Sequence, residues 1–323
     1  MKKLLALLMA FALAFQLATP VFAETGNASG TCGDNLTWTF SPNGALTISG
    51  SGDMSYDKIA PWYCYREQIT SVTMKPGITS IGANAFSDCA SLVSVEIPAG
   101  VTAIGESAFK DCGSLTNVKI PDGVTSIGAW AFWGCYALTN VKIPEGVTSV
   151  NVSTFWGCDA LTSVTIPESV TSIGASAFEG CGKLTNAKIP EGVTSIGKRA
   201  FSGCSSLTGV KLPQGMTQIE ALAFDSCARL TSMEIPTGVT SIGECAFLGC
   251  SGLTKVTIPE GVTSIGYSAF SGCDSLTSIE IPQSITEIGG FAFSMEVGET
   301  AFSFCKRLRS IQVDSKNANY TSI

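Results

Sequence analysis

The sequence predicts a β-rich repeat solenoid, a curved, right-handed rod of about ten short repeats with one parallel sheet and little or no α-helix. Three observations predict it. Cys89, Cys112, Cys135, Cys158, Cys181, Cys204, Cys227, Cys250 and Cys273 stand 23 residues apart, and Cys305 follows after 32. Around them one sentence recurs, I-G-x-x-A-F-x-x-C-x-x-L-T-x-V-x-I-P-x-G-V-T-S, cleanest over residues 127–149. Inside each copy, apolar residues alternate with polar ones, as Val141 and Ile143 do with Asn140 and Lys142. That period of two marks a half-buried strand.

Residues 1–23 read as an export leader. Lys2 and Lys3 precede an apolar run that is short for a membrane span, and small residues stand at Val21 and Ala23 before the expected cut. Residues 24–68 read as an N-terminal β cap. Two alternating runs, Leu36-Thr37-Trp38-Thr39-Phe40 and Ala45-Leu46-Thr47-Ile48, are joined at Ser41-Pro42-Asn43-Gly44, the pattern of a hairpin. A solenoid needs such a cover over its first rung.

Residues 69–311 form the repeat region. Leu138, Val141, Ile143, Val147 and Val150 face inward in the repeat quoted above, with Phe132 and Cys135 turning the chain back toward the next strand. Pro144 lacks an N–H and closes the strand. One repeat cannot fold alone, because its few inward side chains do not offset the entropy of ordering 23 residues; stacked copies share one core. The motif at Ile288-Gly289-Gly290-Phe291-Ala292-Phe293 is echoed by Val297-Gly298-Glu299-Thr300-Ala301-Phe302, a partial duplication expected to bulge as a loop. Residues 312–323 read as the start of a longer repeat, or a tail, of a chain that is either released or truncated here.

Composition removes several functions. The chain of 323 residues has 19 Lys+Arg against 26 Asp+Glu, and loss of Lys2 and Lys3 with the leader would take the net charge from −7 to −9. An acidic exported protein is a poor partner for nucleic acid. It contains no histidine, which excludes Ser-His-Asp and Cys-His catalysis and His-ligated zinc. No cofactor or metal site is expected, no membrane span in the mature chain, and no enzyme. Ladder cysteines, about 4.8 Å apart and pointing the same way, do not suit disulfide geometry; they are expected to be buried, inert thiols. Cys32 and Cys64, both in the cap, are the one candidate intramolecular disulfide, and Cys245 is expected to be exposed.

The repeated residues resemble the leucine-rich repeats, specifically the BspA-like class of 23-residue repeats, over the L-x-x-I-x-I-P…V-x-x-I-G-x-x-A-F-x-x-C pattern of residues 69–311. The opening block from Gly30 to Gly50 is similar to the N-terminal cap of such bacterial surface proteins. The resemblance implies a secreted or cell-surface bacterial protein that adheres to protein or glycan ligands on host or neighbouring cells. The competing reading is a structural spacer rod presenting a missing C-terminal domain.

A binding site must then lie where the pattern breaks. Trp130, Trp133 and Trp156, with Tyr136 nearby, fall in two adjacent repeats. Trp133 and Trp156 share a column with Ser87, Lys110, Glu179, Ser202 and Asp225, so the column reads as solvent-exposed. The cluster is either a ligand-binding patch, or incidental surface variation or packing against a neighbouring loop. The secondary candidate is Lys119, Lys142, Lys188 and Lys211 on the outward strand column. Either they bind acidic ligands, or they pair within their own repeats as Lys119–Asp122, Lys142–Glu145 and Lys188–Glu191.

Overall fold

The computed structural model describes residues 27–56, 58–289 and 300–321. They form a parallel-sheet solenoid of about 11 turns. The single helical element among them is a 3-10 turn, Tyr63–Tyr65. The leader expected over residues 1–23 lies outside the described residues.

Most rungs begin with a strand at the L-T-x-V-x-I-P segment, interrupted at residues 117–119 and 209–211. Asn140–Lys142 pairs in parallel with Ser163–Thr165, placing Val141 beside Val164, and that strand pairs with Asn186–Ala187. This is the sheet that the alternation predicts. A second parallel column runs beside it at the V-T-S-I segment, where Ser149–Val150, Ser172–Ile173 and Ser195–Ile196 stack in register. Its strands are only two residues long, too short for periodicity to show them.

Three ladders fill and bind the rod. Trp62, Phe86, Phe109, Phe132 and their successors to Phe302 stack with ring centroids 5.3–5.7 Å apart, within the range of favourable aromatic contacts. Nine ladder cysteines are buried beside them and Cys305 is half-buried. Threonine hydroxyls tie rung to rung at the surface, each donating to the carbonyl of the threonine one turn back, as Thr162 does to Thr139 and Thr171 to Thr148.

At the N-terminal end, β1 (Ala28–Thr31), β2 (Leu36–Phe40) and β3 (Ala45–Gly50) form an antiparallel meander, and β3 then pairs in parallel with Ser71–Met74. Trp62 is fully buried, stacks on Phe86 and donates its indole N–H to the Ala85 carbonyl at 2.7 Å. At the other end, Phe302 of the second motif copy continues the stack on Phe270, and Ser310–Val313 pairs with Ser278–Ile281. The bulge expected from the duplication falls on residues 290–299, outside the described residues. Beyond it, the buried Asn317 donates to the carbonyls of Pro282 and Ile285.

Two expectations about cysteine are corrected. Cys32 is buried in the cap while Cys64 is exposed, and both are unbonded thiols, so no disulfide joins them. Burial among the cap's apolar residues pushes the Cys32 thiol up to about 11. Cys245 is half-buried rather than exposed, because its column takes part in the turn ladder described next.

Candidate functional site

After the second strand column the chain turns through I-G-x-x-A-F-x-x-C with two left-handed residues per rung. In the central rungs these are Trp130 (φ 57°) with Gly134 (φ 70°), and Ser153 (φ 50°) with Gly157 (φ 67°). The alternation aims backbone N–H groups along the rod. Trp130, Phe132 and Gly134 donate to the carbonyls of Val152, Thr154 and Trp156 on the next rung. This third hydrogen-bonded column carries the aromatic cluster. Glycine at the second left-handed position contributes no side chain of its own, and the neighbouring Asp111 and Tyr136 lie against Gly134 and Gly157.

Trp130 and Tyr136 are exposed, at 38 % and 47 %. Trp133 and Trp156 are not freely exposed, as their column's composition suggested; both are half-buried, and Ser87 and Ser202 of that column are buried. The side chains lean along the rod onto one another. Trp133 and Trp156 stack with centroids 4.6 Å apart and planes within 8°. The Lys110 ammonium sits 4.9 Å from the centre of the Trp133 ring, a cation–π contact. With a cation and an indole against it, Trp133 presents its edge to solvent, not its face. None of the Trp130, Trp133 and Trp156 indole N–H groups has a protein acceptor among the described residues. Val152, 42 % exposed, adds to the patch; sequence reading missed it, although it replaces the Ala129 and Ala175 of adjacent rungs.

Tyr136 occupies the space that side chains at Gly113 and Gly157 would fill. A Cβ on either glycine would stand 3.4–3.5 Å from its ring. Asp111 and Asp159 lie close enough to act on its phenol. Burial, then these two carboxylates, push the Tyr136 hydroxyl above its ordinary range. Burial likewise raises the Asp111 carboxyl, against the pull of Lys110 at 3.8 Å.

The lysine column is arranged differently from expectation. Lys142 pairs with Asp122 at 3.4 Å, Lys188 with Glu168 at 3.0 Å, and Lys211 with Glu191. Each cation reaches the acid 20 residues back, on the preceding rung, not the acid three residues ahead. Beyond the proline the chain has turned off the strand, so the diagonal neighbour is nearer than the sequence neighbour. Lys119 has no such partner because Ala99 stands at the matching place. The column is largely self-neutralised, whereas the aromatic patch is not covered. Among the described residues no group of His, Cys, Asp and Glu could hold a metal ion, and no helix is long and apolar enough to cross a membrane.

Stacked 23-residue turns with an invariant interior and a variable surface define a leucine-rich-repeat solenoid. The chain belongs to the BspA type leucine rich repeat region family, which matches residues 57–185 and 171–297 in six copies. Among solved structures it is similar to a leucine rich cell surface protein from Faecalibacterium prausnitzii, at 31 % identity and a TM-score of 0.52, over 91 % of this chain and 96 % of that one. It is also similar to a leucine-rich repeat protein from Bacteroides ovatus, at 27 % identity and a TM-score of 0.58, over 86 % of this chain and 69 % of the other. No curated protein matches the sequence.

Proposed function

We propose that the protein is a non-enzymatic, secreted or cell-surface adhesion protein that binds a protein or glycan ligand on host or neighbouring cells through its solenoid surface. The observation that carries this reading is the aromatic patch of two adjacent rungs, in which Trp130 and Tyr136 are exposed and the stacked Trp133 and Trp156 are half-buried. Such patches mark interaction sites, and Trp and Tyr dominate their energetics. The likeness to a cell surface protein supports the location. In this reading residues 1–23 are the export leader and 24–68 the cap. Residues 69–311 carry the binding surface.

Burying a fully exposed apolar side chain contributes about 1.5–3 kcal/mol; Trp133 and Trp156 are already half-buried, so losing both weakens binding roughly tenfold to a hundredfold at about 1.4 kcal/mol per decade. The purified rod is screened on immobilised host-surface proteins and glycans, and each hit is retested with two variants. Trp133→Ala with Trp156→Ala is expected to lower affinity about tenfold or more. Lys119→Ala with Lys142→Ala is expected to change it less than threefold and to act through on-rate and salt dependence. Equal losses from the two variants, with both folded by circular dichroism, would move the site to the strand face.

A further inference from the structure

The residue after the V-T-S-I segment is glycine from Gly82 to Gly289 except in two turns, where Asn151 and Glu220 stand. From Gly105 on, each of these glycines donates its N–H to the carbonyl that ends the short strand of the preceding turn, as Gly197 does to Ile173 and Gly243 to Ile219, both at 2.8 Å. The bond needs a close approach of two backbones. A Cβ on Gly197 or Gly243 would stand 2.5–2.6 Å from a backbone nitrogen of the preceding turn, so any side chain there holds the turns apart.

The two exceptions show the consequence. Among the described residues neither Asn151 nor Glu220 makes the backbone bond of its glycine counterparts. Thr148 and Thr217 also lack the bond to the threonine carbonyl of the preceding turn that Thr171, Thr194, Thr240 and Thr263 make. Between Ile127 and Val150, and again between Ile196 and Ile219, neither strand column is paired across the junction. A single isolated bridge, Asn186 to Gly209, remains at the second. Every other junction of the described turns keeps at least one paired column. The turn column still crosses both gaps, with Phe132 donating to Thr154 and Phe201 to Ala223, and the phenylalanine stack is unbroken at 5.5 and 5.6 Å. Asn151 closes its gap in part, because its amide Nδ2 donates to the Ile127 carbonyl at 2.6 Å. A carboxylate has no proton to donate, and that of Glu220 accepts from the Gln218 amide instead.

We propose that these two junctions are joints in the rod. Each opens along the two strand columns and turns about the third column as its pin, dividing the solenoid into three blocks of turns. The joint at Glu220 is the freer, since no side chain bridges it. The joint at Asn151 lies under the aromatic patch, with Trp133 on the turn before it and Trp156 on the turn after. The patch thus sits at the pin, where bending alters spacing least, while the strand faces on either side swing most. The inference goes beyond the adhesion reading and does not depend on it.

Residue-resolved hydrogen exchange on the intact protein tests the joints, because amides without a partner exchange without global unfolding. Protection at Thr217 and Glu220 is expected to lie at least tenfold below that at Thr240 and Gly243, one turn on. Glu220→Gly restores the residue of the other turns and is expected to bring position 217 level with Thr240; Asn151→Gly should do the same for Thr148 against Thr171. Small-angle scattering supplies the second readout. The parent protein is expected to require a range of bend angles, and the Asn151→Gly, Glu220→Gly protein to fit a single rod. Equal protection at Thr217 and Thr240 in the parent overturns the joint. Low protection that survives Glu220→Gly assigns the gap to Gly209 and Val210 of the interrupted strand and overturns the role of the side chain. A parent whose scattering fits one rigid rod, with low protection at Thr217, has columns that fray without bending, and the joints fail.

Discussion

At the scale of one residue, the ladder thiol is a hydrogen-bond donor that fits an apolar interior. The Cys158 Sγ donates to the Phe132 carbonyl at 3.3 Å, and the same contact recurs from Cys112 through Cys273 at 3.1–3.4 Å. Each such carbonyl also accepts a backbone N–H within its own turn, as Phe132 does from Cys135. Alanine would remove both volume and donor, and a serine hydroxyl costs more to desolvate than a thiol. Thiolate is the reactive form, and burial holds these groups protonated, with Cys89 and Cys227 pushed up to about 12. Labelling with a disulfide reagent at neutral pH should therefore modify the exposed Cys64 rapidly in the native protein. Ten thiols, the nine buried ladder cysteines and Cys32, should react only on denaturation. A shortfall restored by reductant would reveal bonds between rungs and overturn the packing account.

At the scale of the element, register decides what sequence can and cannot show. Alternation around Val141 places Lys142 outward without ambiguity. It does not say which acid Lys142 meets, because that depends on the lean of side chains across two strands. The structure answers with the preceding rung, Asp122 and Glu168 rather than Glu145 and Glu191. A mutant cycle distinguishes the two. Lys188→Ala and Glu168→Ala should be non-additive in urea midpoint at low salt, with the coupling lost at high salt. Lys188→Ala and Glu191→Ala should be additive, and coupling in the second pair alone would reverse the assignment. The left-handed turn positions were legible only in part. Glycine recurs just before the ladder cysteine at Gly134, Gly157, Gly180 and Gly203, a signal of positive φ that the sequence carries. The other left-handed column holds Trp130, Arg199, Leu222 and Cys245, side chains that give no such signal; hydrogen bonds between rungs impose that conformation. The aromatic patch was visible as a break in the repeat. Its stacking, its covered ring faces and the placement of Asp111 over the Gly134 backbone arise between rungs and are silent in the chain.

For the whole molecule, a single column of buried thiols makes stability depend on alkali. In the unfolded chain a cysteine ionises near pH 8.5, whereas in the rod burial raises every ladder thiol above its ordinary value. Below about pH 8 both states hold these protons, and the thiols add no pH dependence. Above that, the unfolded state releases protons that the folded state retains, so stability falls as pH rises through the window between the two values. Each thiol contributes up to about 1.4 kcal/mol per pH unit. Nine acting together reach on the order of 10 kcal/mol near pH 9.5, comparable with the whole stability of an ordinary domain. The melting temperature should thus be nearly flat from pH 6 to 8 and drop steeply between about pH 8.5 and 10. With Cys64 and Cys245 replaced by serine, the thiolate absorbance of the ladder should appear in the same transition as the loss of β-sheet dichroism. Replacing Cys135, Cys158 and Cys181 by alanine should lower the melting temperature at pH 7 and make the alkaline drop shallower. In the Cys64→Ser, Cys245→Ser protein, thiolate absorbance rising near pH 8.5 with the fold intact would mean that solvent reaches the ladder, and the rod would owe its stability to the phenylalanine stack and the strand columns alone.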